Sequence, residues 1–317
     1  MRFKNKRGFE FSFAWLFSII VGAVILFLAI YGAMRFVKVG EYTVGTETAK
    51  ALSIFFEPME TGLAAGKSDV VTLREETRVY NDCQKISLSS KMFRGEWSER
   101  SEAIDIGNKY VFSNDTEEGE RFYLFSKPFE MPWKVSELIF FNSDSYCFVD
   151  SPDFVEREVS GLNLQNVKLD DSCIGDEIRV CFSGRGGGGC DVIVREPIEG
   201  DEFDGYEYGV VEKEGERLWY IGDSLMYAAI FSSPDIYECN VQRLMIRLKK
   251  QALLFKEEAD FLVTRCGTLP LTGLDLIAEE AGDFEDARLG EFEGLVSIKI
   301  IADQVDRENE NAECNLW

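Results

Sequence analysis

The chain has 317 residues, with 34 Lys and Arg against 57 Asp and Glu, which gives a net charge of −23, and it contains no histidine. So acidic a surface repels nucleic acid and anionic lipid headgroups, and neither is expected to bind the main body directly. Because the chain has no histidine, Ser-His-Asp and Cys-His mechanisms are excluded. Catalysis by carboxylate, cysteine, lysine or tyrosine side chains remains. An aromatic content of 13% supplies enough apolar surface for a folded core and argues against disorder.

The segment Phe11 to Met34 carries no charged side chain and no proline over its 24 residues. Because about 20 apolar residues are enough to span a bilayer as a helix, residues 11–34 are predicted to form a transmembrane helix. Four basic residues precede it, namely Arg2, Lys4, Lys6 and Arg7. The positive-inside rule then places residues 1–10 in the cytoplasm and the C-terminal domain outside the cell. The alternatives are a cleaved secretory signal, which is usually shorter and needs a small residue where Tyr31 stands, and an unusually apolar core helix.

Small residues recur on one face of this apolar segment, at Ala14, Ser18, Gly22, Ala29 and Ala33. Rows of this kind let helix backbones approach closely, so the pattern predicts association between helices. The same rows also arise by chance in helices rich in alanine and glycine, and that reading stays open.

All eight cysteines lie beyond the apolar segment, at Cys83, Cys147, Cys173, Cys181, Cys190, Cys239, Cys266 and Cys314. An even number confined to the expected exterior predicts a disulfide framework, although spacing does not give its connectivity. A zinc site is the rival reading, but the chain has no CxxC pair and no histidine. Unpaired buried thiols are the third.

The remaining chain predicts an α+β fold, β-rich first and helical last. Residues 35–66 are interpreted as a helical stalk, 67–220 as a β-rich part and 221–317 as a helical part. Short β-prone runs occur at Val70–Leu73, Arg78–Tyr80, Tyr110–Phe112, Arg121–Phe125 and Leu138–Phe141.

Three helices are expected after these strands. Ser151–Val159 begins with a Ser-Pro pair, and a long amphipathic helix begins near Ser233, which is also followed by proline. Ser297–Asn309 is the third, although 296–301 reads equally well as a strand. The long helix carries a basic stretch at Arg243, Arg247, Lys249, Lys250 and Lys256. Within so acidic a chain, we interpret it as a solvated or internally paired face; a docking surface for an acidic partner is the alternative.

Two predicted loops have a composition that some ligand-binding sites share. The glycine run at 183–189 lies between β-prone segments rather than before a helix, which favours a hairpin tip over a phosphate site. The acidic stretch Asp201 to Glu207 offers oxygen ligands for Ca²⁺ but lacks the spacing of an EF-hand loop.

Asn114 begins an Asn-Asp-Thr sequon and is a candidate for glycosylation. Paired carboxylates are too abundant to single out a catalytic pair, so no enzyme, cofactor or catalytic residue is predicted.

The opening RFKNKRGFEFSFAWLFSIIVGAVILFLAIYGA resembles the start of a type IV pilin-like precursor. The resemblance rests on the basic leader, on Gly8 as a processing position and on Phe9 as the first mature residue. Bacterial pilins carry a glutamate at the fifth mature position, where this chain has Phe13, whereas Glu10 stands at the second. Archaeal pilin-like proteins are less strict in requiring an acidic residue at that position. The stretch is also similar to the start of uncharacterised single-pass surface proteins of small archaea.

These observations favour a membrane-anchored, non-enzymatic surface protein, either structural and adhesive or a pilin-like filament subunit. Its expected partners are the membrane and copies of itself or other envelope proteins. A receptor or accessory module that binds a cation or a cationic protein is the second hypothesis. An envelope enzyme that works without histidine is the third.

Overall fold

The computed structural model describes residues 15, 17–32, 56–57, 59, 61, 68–92, 95–169, 173, 175–182, 189–195, 207–266 and 271–317. Among these residues the fold is α+β with two six-stranded sheets, which confirms the predicted α+β class.

The first sheet contains the six strands nearest the N-terminus, in the order β3-β2-β1-β5-β6-β4. They are β1 (Ser68–Asn81), β2 (Lys85–Ser90), β3 (Ile104–Asp105), β4 (Tyr110–Phe112), β5 (Thr116–Glu130) and β6 (Lys134–Asn142). All five predicted β-prone runs lie in these strands, and the first two form one long strand. That strand, β1, pairs antiparallel with β5 through a register shift between Thr72 and Thr77.

The second sheet has the order β12-β11-β10-β9-β7-β8. Its strands are β7 (Tyr146–Val149), β8 (Val167–Leu169), β9 (Ile178–Phe182), β10 (Val192–Arg195), β11 (Tyr208–Lys213) and β12 (Glu216–Ile221). The pair β9 and β10 is parallel, with Val180 opposite Val192. The expected hairpin at the glycine run is therefore wrong, because a hairpin joins antiparallel strands.

Besides the helix at residues 17–32, the described residues contain five helices and one short 3-10 helix. They are α1 (Asp153–Leu162), α2 (Gly222–Phe231), α3 (Pro234–Cys266), α4 (Leu271–Asp283), the 3-10 helix Leu289–Gly294 and α5 (Leu295–Glu310). The three predicted helices correspond to α1, α3 and α5, so residues 296–301 are helical. Helix α3 begins at Pro234, as expected for a proline at the first helical position.

Apolar side chains collect in two clusters. The larger one joins the second sheet, the helices and one face of the first sheet. The smaller one covers the other face of the first sheet, where Phe141 packs against Phe56 and Phe122 at centroid distances of 5.9 and 5.0 Å. Alternation along β5 explains this division, since Phe125 and Phe129 belong to the larger cluster and Phe122 and Leu124 to the smaller.

Disulfides are present, as the cysteine pattern predicted. They join Cys83 to Cys239, Cys147 to Cys173, and Cys181 to Cys190, and Cys314 is disulfide-bonded as well. The first bond spans 156 residues and attaches the β1–β2 turn to α3.

The predicted transmembrane helix at residues 11–34 is wrong, and with it the cytoplasmic N-terminus and the extracytoplasmic placement of the C-terminal domain. In the part of the chain that the structure describes, no helix is long and apolar enough to cross a membrane. The helical residues that the structure describes in this segment are 15 and 17–32. Most of the expected stalk, 35–66, lies outside the described residues.

Candidate functional site

The N-terminal helix, residues 17–32, carries no charged side chain. Its large apolar side chains from Phe17 to Tyr31 are between 38% and 67% exposed. At 100° per residue these positions cover the whole circumference of the helix rather than one stripe. An amphipathic helix has one apolar stripe and turns it toward the core of the protein. This helix instead presents an apolar surface on all sides.

The predicted small-residue row lies partly on this helix. Ser18, Gly22 and Ala29 are exposed and fall on one face, and a Cβ added at Gly22 meets nothing within 4 Å. Ala14, Ala33 and the processing candidates Gly8 and Phe9 lie outside the described residues. Gly22 is therefore open to a close approach.

A cavity of about 380 Å³ lies where four elements meet: the end of β5, α1, the junction of β12 with α2, and α5. Its apolar lining comes from Phe129, Leu162 and Ile221, and its polar lining includes Lys127, Glu158, Asp223 and Lys299. A volume of this size is suited to a small ligand.

Lys127 is less exposed than Glu158, Asp223 or Lys299, with only 9% of its side chain exposed. Its Nζ donates to Glu158 and, at 2.7 Å, to Oδ2 of Asp223. The ammonium also lies 5.0 Å from the ring centroid of Tyr227. Burial, followed by the charge of Glu158, raises the pKa of Tyr227, so its phenol stays protonated. A buried ammonium is stable here because two carboxylates and an aromatic face replace its water.

Two further contacts shape the rim of the cavity. The Ser224 hydroxyl donates to the Pro128 carbonyl oxygen at 2.6 Å and so joins the first turn of α2 to β5. Lys299 donates to both oxygens of Asp303 at 2.6 Å, so its charge is neutralised within α5.

A second group of charges is buried where the two sheets meet. Glu117 of β5 accepts hydrogen bonds from Asn114 N at 3.0 Å and from Ser143 N and Oγ, both at 2.7 Å. Burial raises the pKa of Glu117 to about 7, against the lowering effect of these donors and with a further increase from the charge of Asp144. This carboxyl therefore titrates near neutral pH.

Lys213 belongs to the same buried group and holds the end of α2. Its Nζ donates to the carbonyl oxygens of Ile230 and Ser232 at 3.2 and 2.9 Å. Burial lowers the pKa of Lys213, while Glu214, Glu117 and Asp144 raise it. The carbonyls at the end of a helix lack partners within the helix, and a buried ammonium supplies them here.

The sequon at Asn114 lies at the edge of this charged group. Asn114 is half-buried, and its side-chain amide donates to Oδ2 of Asp144 at 3.4 Å. The same amide nitrogen would carry a glycan, so glycosylation stays a prediction and would displace this contact.

The basic stretch of α3 is partly paired within the molecule. Arg243 donates to the carbonyl oxygens of Cys83, Gly107 and Lys109 at 3.0, 2.6 and 3.0 Å. Lys256 forms an ion pair with Asp275 at 2.5 Å. The other three residues are Arg247 and Lys250, which are exposed, and Lys249, which is half-buried. Internal pairing thus accounts for two of the five basic residues.

The calcium candidate at 201–207 lies outside the described residues apart from Glu207. Among the described residues, no group of three or more His, Cys, Asp or Glu side chains is placed to hold a metal ion. The described geometry therefore offers an apolar helix and a charged cavity as its candidate sites.

Sequence reasoning missed the cavity because its charges come from distant parts of the chain. Lys127 lies 31 residues from Glu158 and 96 residues from Asp223. One signal was available: Lys127 stands between Phe125 and Phe129 on the inward face of β5, where a charge requires partners.

Comparison of the chain with protein-family models, with curated protein sequences and with solved structures finds no match.

Proposed function

We propose that this protein is a non-enzymatic structural subunit that assembles with copies of itself through the helix at residues 17–32. The observation that carries the proposal is the exposure of large apolar side chains on every side of an uncharged helix. An all-apolar helix is normally buried, so it needs a cover that its own chain does not supply in the described structure.

A second copy of the same helix is the occupant that fits best. The helix has no charge with which to select an acidic or basic partner, and a single groove would leave its opposite side exposed. A bundle of like helices covers more than one side of each helix. The row of Ser18, Gly22 and Ala29 would let two backbones approach closely.

The net charge of −23 opposes this assembly, because the acidic bodies of neighbouring copies repel each other. Salt screens that repulsion over about 10 Å at 0.1 M, whereas apolar contacts between helices are not weakened by it. Association is therefore expected to strengthen as salt is raised, which is opposite to the behaviour of an assembly held by ion pairs.

Sedimentation of the full chain at increasing protein and salt concentration tests the proposal. Gly22→Leu keeps the helix apolar but blocks the close approach, and Phe27→Lys places a charge in the apolar surface. Both are expected to shift the distribution toward monomer. Leu254→Lys is the matched control, since Leu254 is 63% exposed on α3, outside the helix. A wild-type chain that stays monomeric at high salt, or equal shifts in control and variants, would contradict self-assembly.

The pilin-like version of the proposal makes a separate prediction about the N-terminus. Processing after Gly8 would leave Phe9 as the first residue, and mass spectrometry of the mature chain reads this directly. Negative-stain microscopy then distinguishes filaments from isolated particles. An intact N-terminus would remove the pilin-like version and leave self-assembly to the sedimentation test.

A binding module for a cation or a cationic protein is the second candidate function. It is favoured by the cavity, where Lys127 lies between Glu158 and Asp223 in an arrangement suited to an ammonium group.

A further inference from the structure

We infer that the cavity between β5, α1, α2 and α5 binds a small organic cation, a primary ammonium on a short apolar stem. The cavity does not involve the N-terminal helix, so this site is independent of the proposed self-assembly. Its β5 lining runs from Ser126 to Glu130, at the C-terminal end of that strand.

The cavity already shows how it holds an ammonium. Lys127 places its Nζ between two carboxylates and against the ring of Tyr227, with 2.7 Å to Asp223 and 5.0 Å to the ring centroid. Carboxylate oxygens and an aromatic face are the groups that proteins use to recognise alkylammonium ions. An added amine would meet the carboxylates of Glu158 and Asp223 in the lining, whereas Tyr227 lies behind Lys127 and does not line the cavity.

Acceptors remain for a second ammonium. Oδ2 of Asp223 accepts from Lys127, while Oδ1 lies 3.4 Å from the Ser224 hydroxyl. The single proton of that hydroxyl is donated to the Pro128 carbonyl at 2.6 Å, the shorter of the two contacts, which leaves Oδ1 with lone pairs for a donor inside the cavity. The Asp223 side chain is 47% exposed, so a ligand can reach it, and the exposed Glu130 adds another carboxylate to the lining.

The net charge of the lining favours a cationic ligand over an anionic one. The lining carries three carboxylates, on Glu130, Glu158 and Asp223, and two ammonium groups, on Lys127 and Lys299. Lys299 is bound by both oxygens of Asp303, and Lys127 is compensated by two carboxylates. The remaining charge is negative, so a cation gains energy on entering and an anion loses it.

The apolar part of the lining determines what else the ligand carries. Phe129, Leu162 and Ile221 are buried members of the large core and border the cavity. A stem of a few methylene groups would make dispersion contacts with these side chains. A bare metal ion would make no such contacts, which is why we assign an organic cation rather than an inorganic one.

Isothermal titration calorimetry of the full chain with n-pentylamine tests the inference, with 1-pentanol and pentanoate as neutral and anionic analogues. We expect pentylamine to bind and the two analogues not to bind. Asp223→Asn should weaken binding at least about tenfold, the usual cost of losing a charged hydrogen bond. Glu130→Gln, at an exposed position, should weaken it by a smaller factor without affecting the fold.

Asp275→Asn is the matched control, because it removes the same charge from an ion pair with Lys256 on the surface of α3 and α4. Equal affinity in the wild type and in this control, together with the loss in Asp223→Asn, supports the site. Several results would overturn it: no heat at millimolar pentylamine, binding of pentanol as tight as that of pentylamine, or equal losses in Asp223→Asn and Asp275→Asn. The last would mean that the amine responds only to total charge.

Discussion

Two helices of this protein are almost equally apolar and have opposite environments. Helix α2 carries a single charged residue, Asp223 in its first turn, and its residues from Ser224 to Phe231 are all 5% exposed or less. The helix at 17–32 carries no charge, and its large side chains are at least 38% exposed. Apolar composition therefore does not tell whether a helix is covered by its own chain. What differs is the presence of sheets on both sides of α2.

The largest expected effect compares one phenylalanine from each helix. Phe231 packs on Phe125, Phe140 and Tyr146 at centroid distances of 5.5, 6.2 and 4.7 Å. Phe231→Ala should therefore lower the free energy of unfolding by about 3–5 kcal/mol. Phe27→Ala, at a side chain that is 67% exposed, should change it by less than about 0.5 kcal/mol and should weaken self-association instead. Chemical denaturation and sedimentation of both variants measure the two effects, and equal destabilisation would break the comparison.

The covalent attachment of α3 gives the next effect. Replacing Cys83 and Cys239 by serine should cost about 2–5 kcal/mol, because that bond closes a loop of 156 residues in the unfolded chain. The Cys181–Cys190 bond closes only 9 residues, and its removal should cost about 2–3 kcal/mol less on loop entropy alone. Thermal unfolding of the two double variants measures the difference. A larger loss from the short loop would contradict the entropic account.

The smallest expected effect is a dependence of stability on pH. It separates the two helices further, because buried charges lie at the end of α2, whereas the helix at 17–32 carries no charge. The pKa of Glu117 is about 7 in the folded protein and near 4.5 when unfolded. The folded state thus keeps a proton that the unfolded state has released. The stability that Glu117 contributes is fully present below pH 4.5 and is lost as pH rises toward 7, with a slope of at most about 1.4 kcal/mol per pH unit.

Glu117→Gln should remove that slope, whereas Glu120→Gln, at an exposed acid on the same strand, should preserve it. Urea unfolding at a series of pH values between 4 and 8 measures both. Identical slopes in the two variants would show that the dependence arises elsewhere. Self-association through the uncharged helix should show no matching dependence on Glu117.

Local patterns predicted the elements of this fold well, because alternation and helical periodicity are properties of neighbouring residues. The runs at 121–125 and 138–141 became β5 and β6, and Ser233 with Pro234 marked the start of α3. Pairing was not predictable in the same way: nothing near the glycine run indicates that Val180 and Val192 lie in parallel strands. The cavity was equally inaccessible, since Lys127 gains its meaning from Glu158 and Asp223, which only tertiary structure brings to it. The hydropathy of residues 11–34 correctly indicated an apolar segment, but the transmembrane helix predicted from it is wrong.

The guanidinium of Arg243 lies about one helical turn beyond Cys239, and it bridges three carbonyl oxygens from two turns of the first sheet. Covalent and polar attachments thus fasten the same helix to the same place. The three hydrogen bonds of Arg243 do not require the Cys83–Cys239 bond, so we expect them to hold α3 against these turns when that bond is reduced.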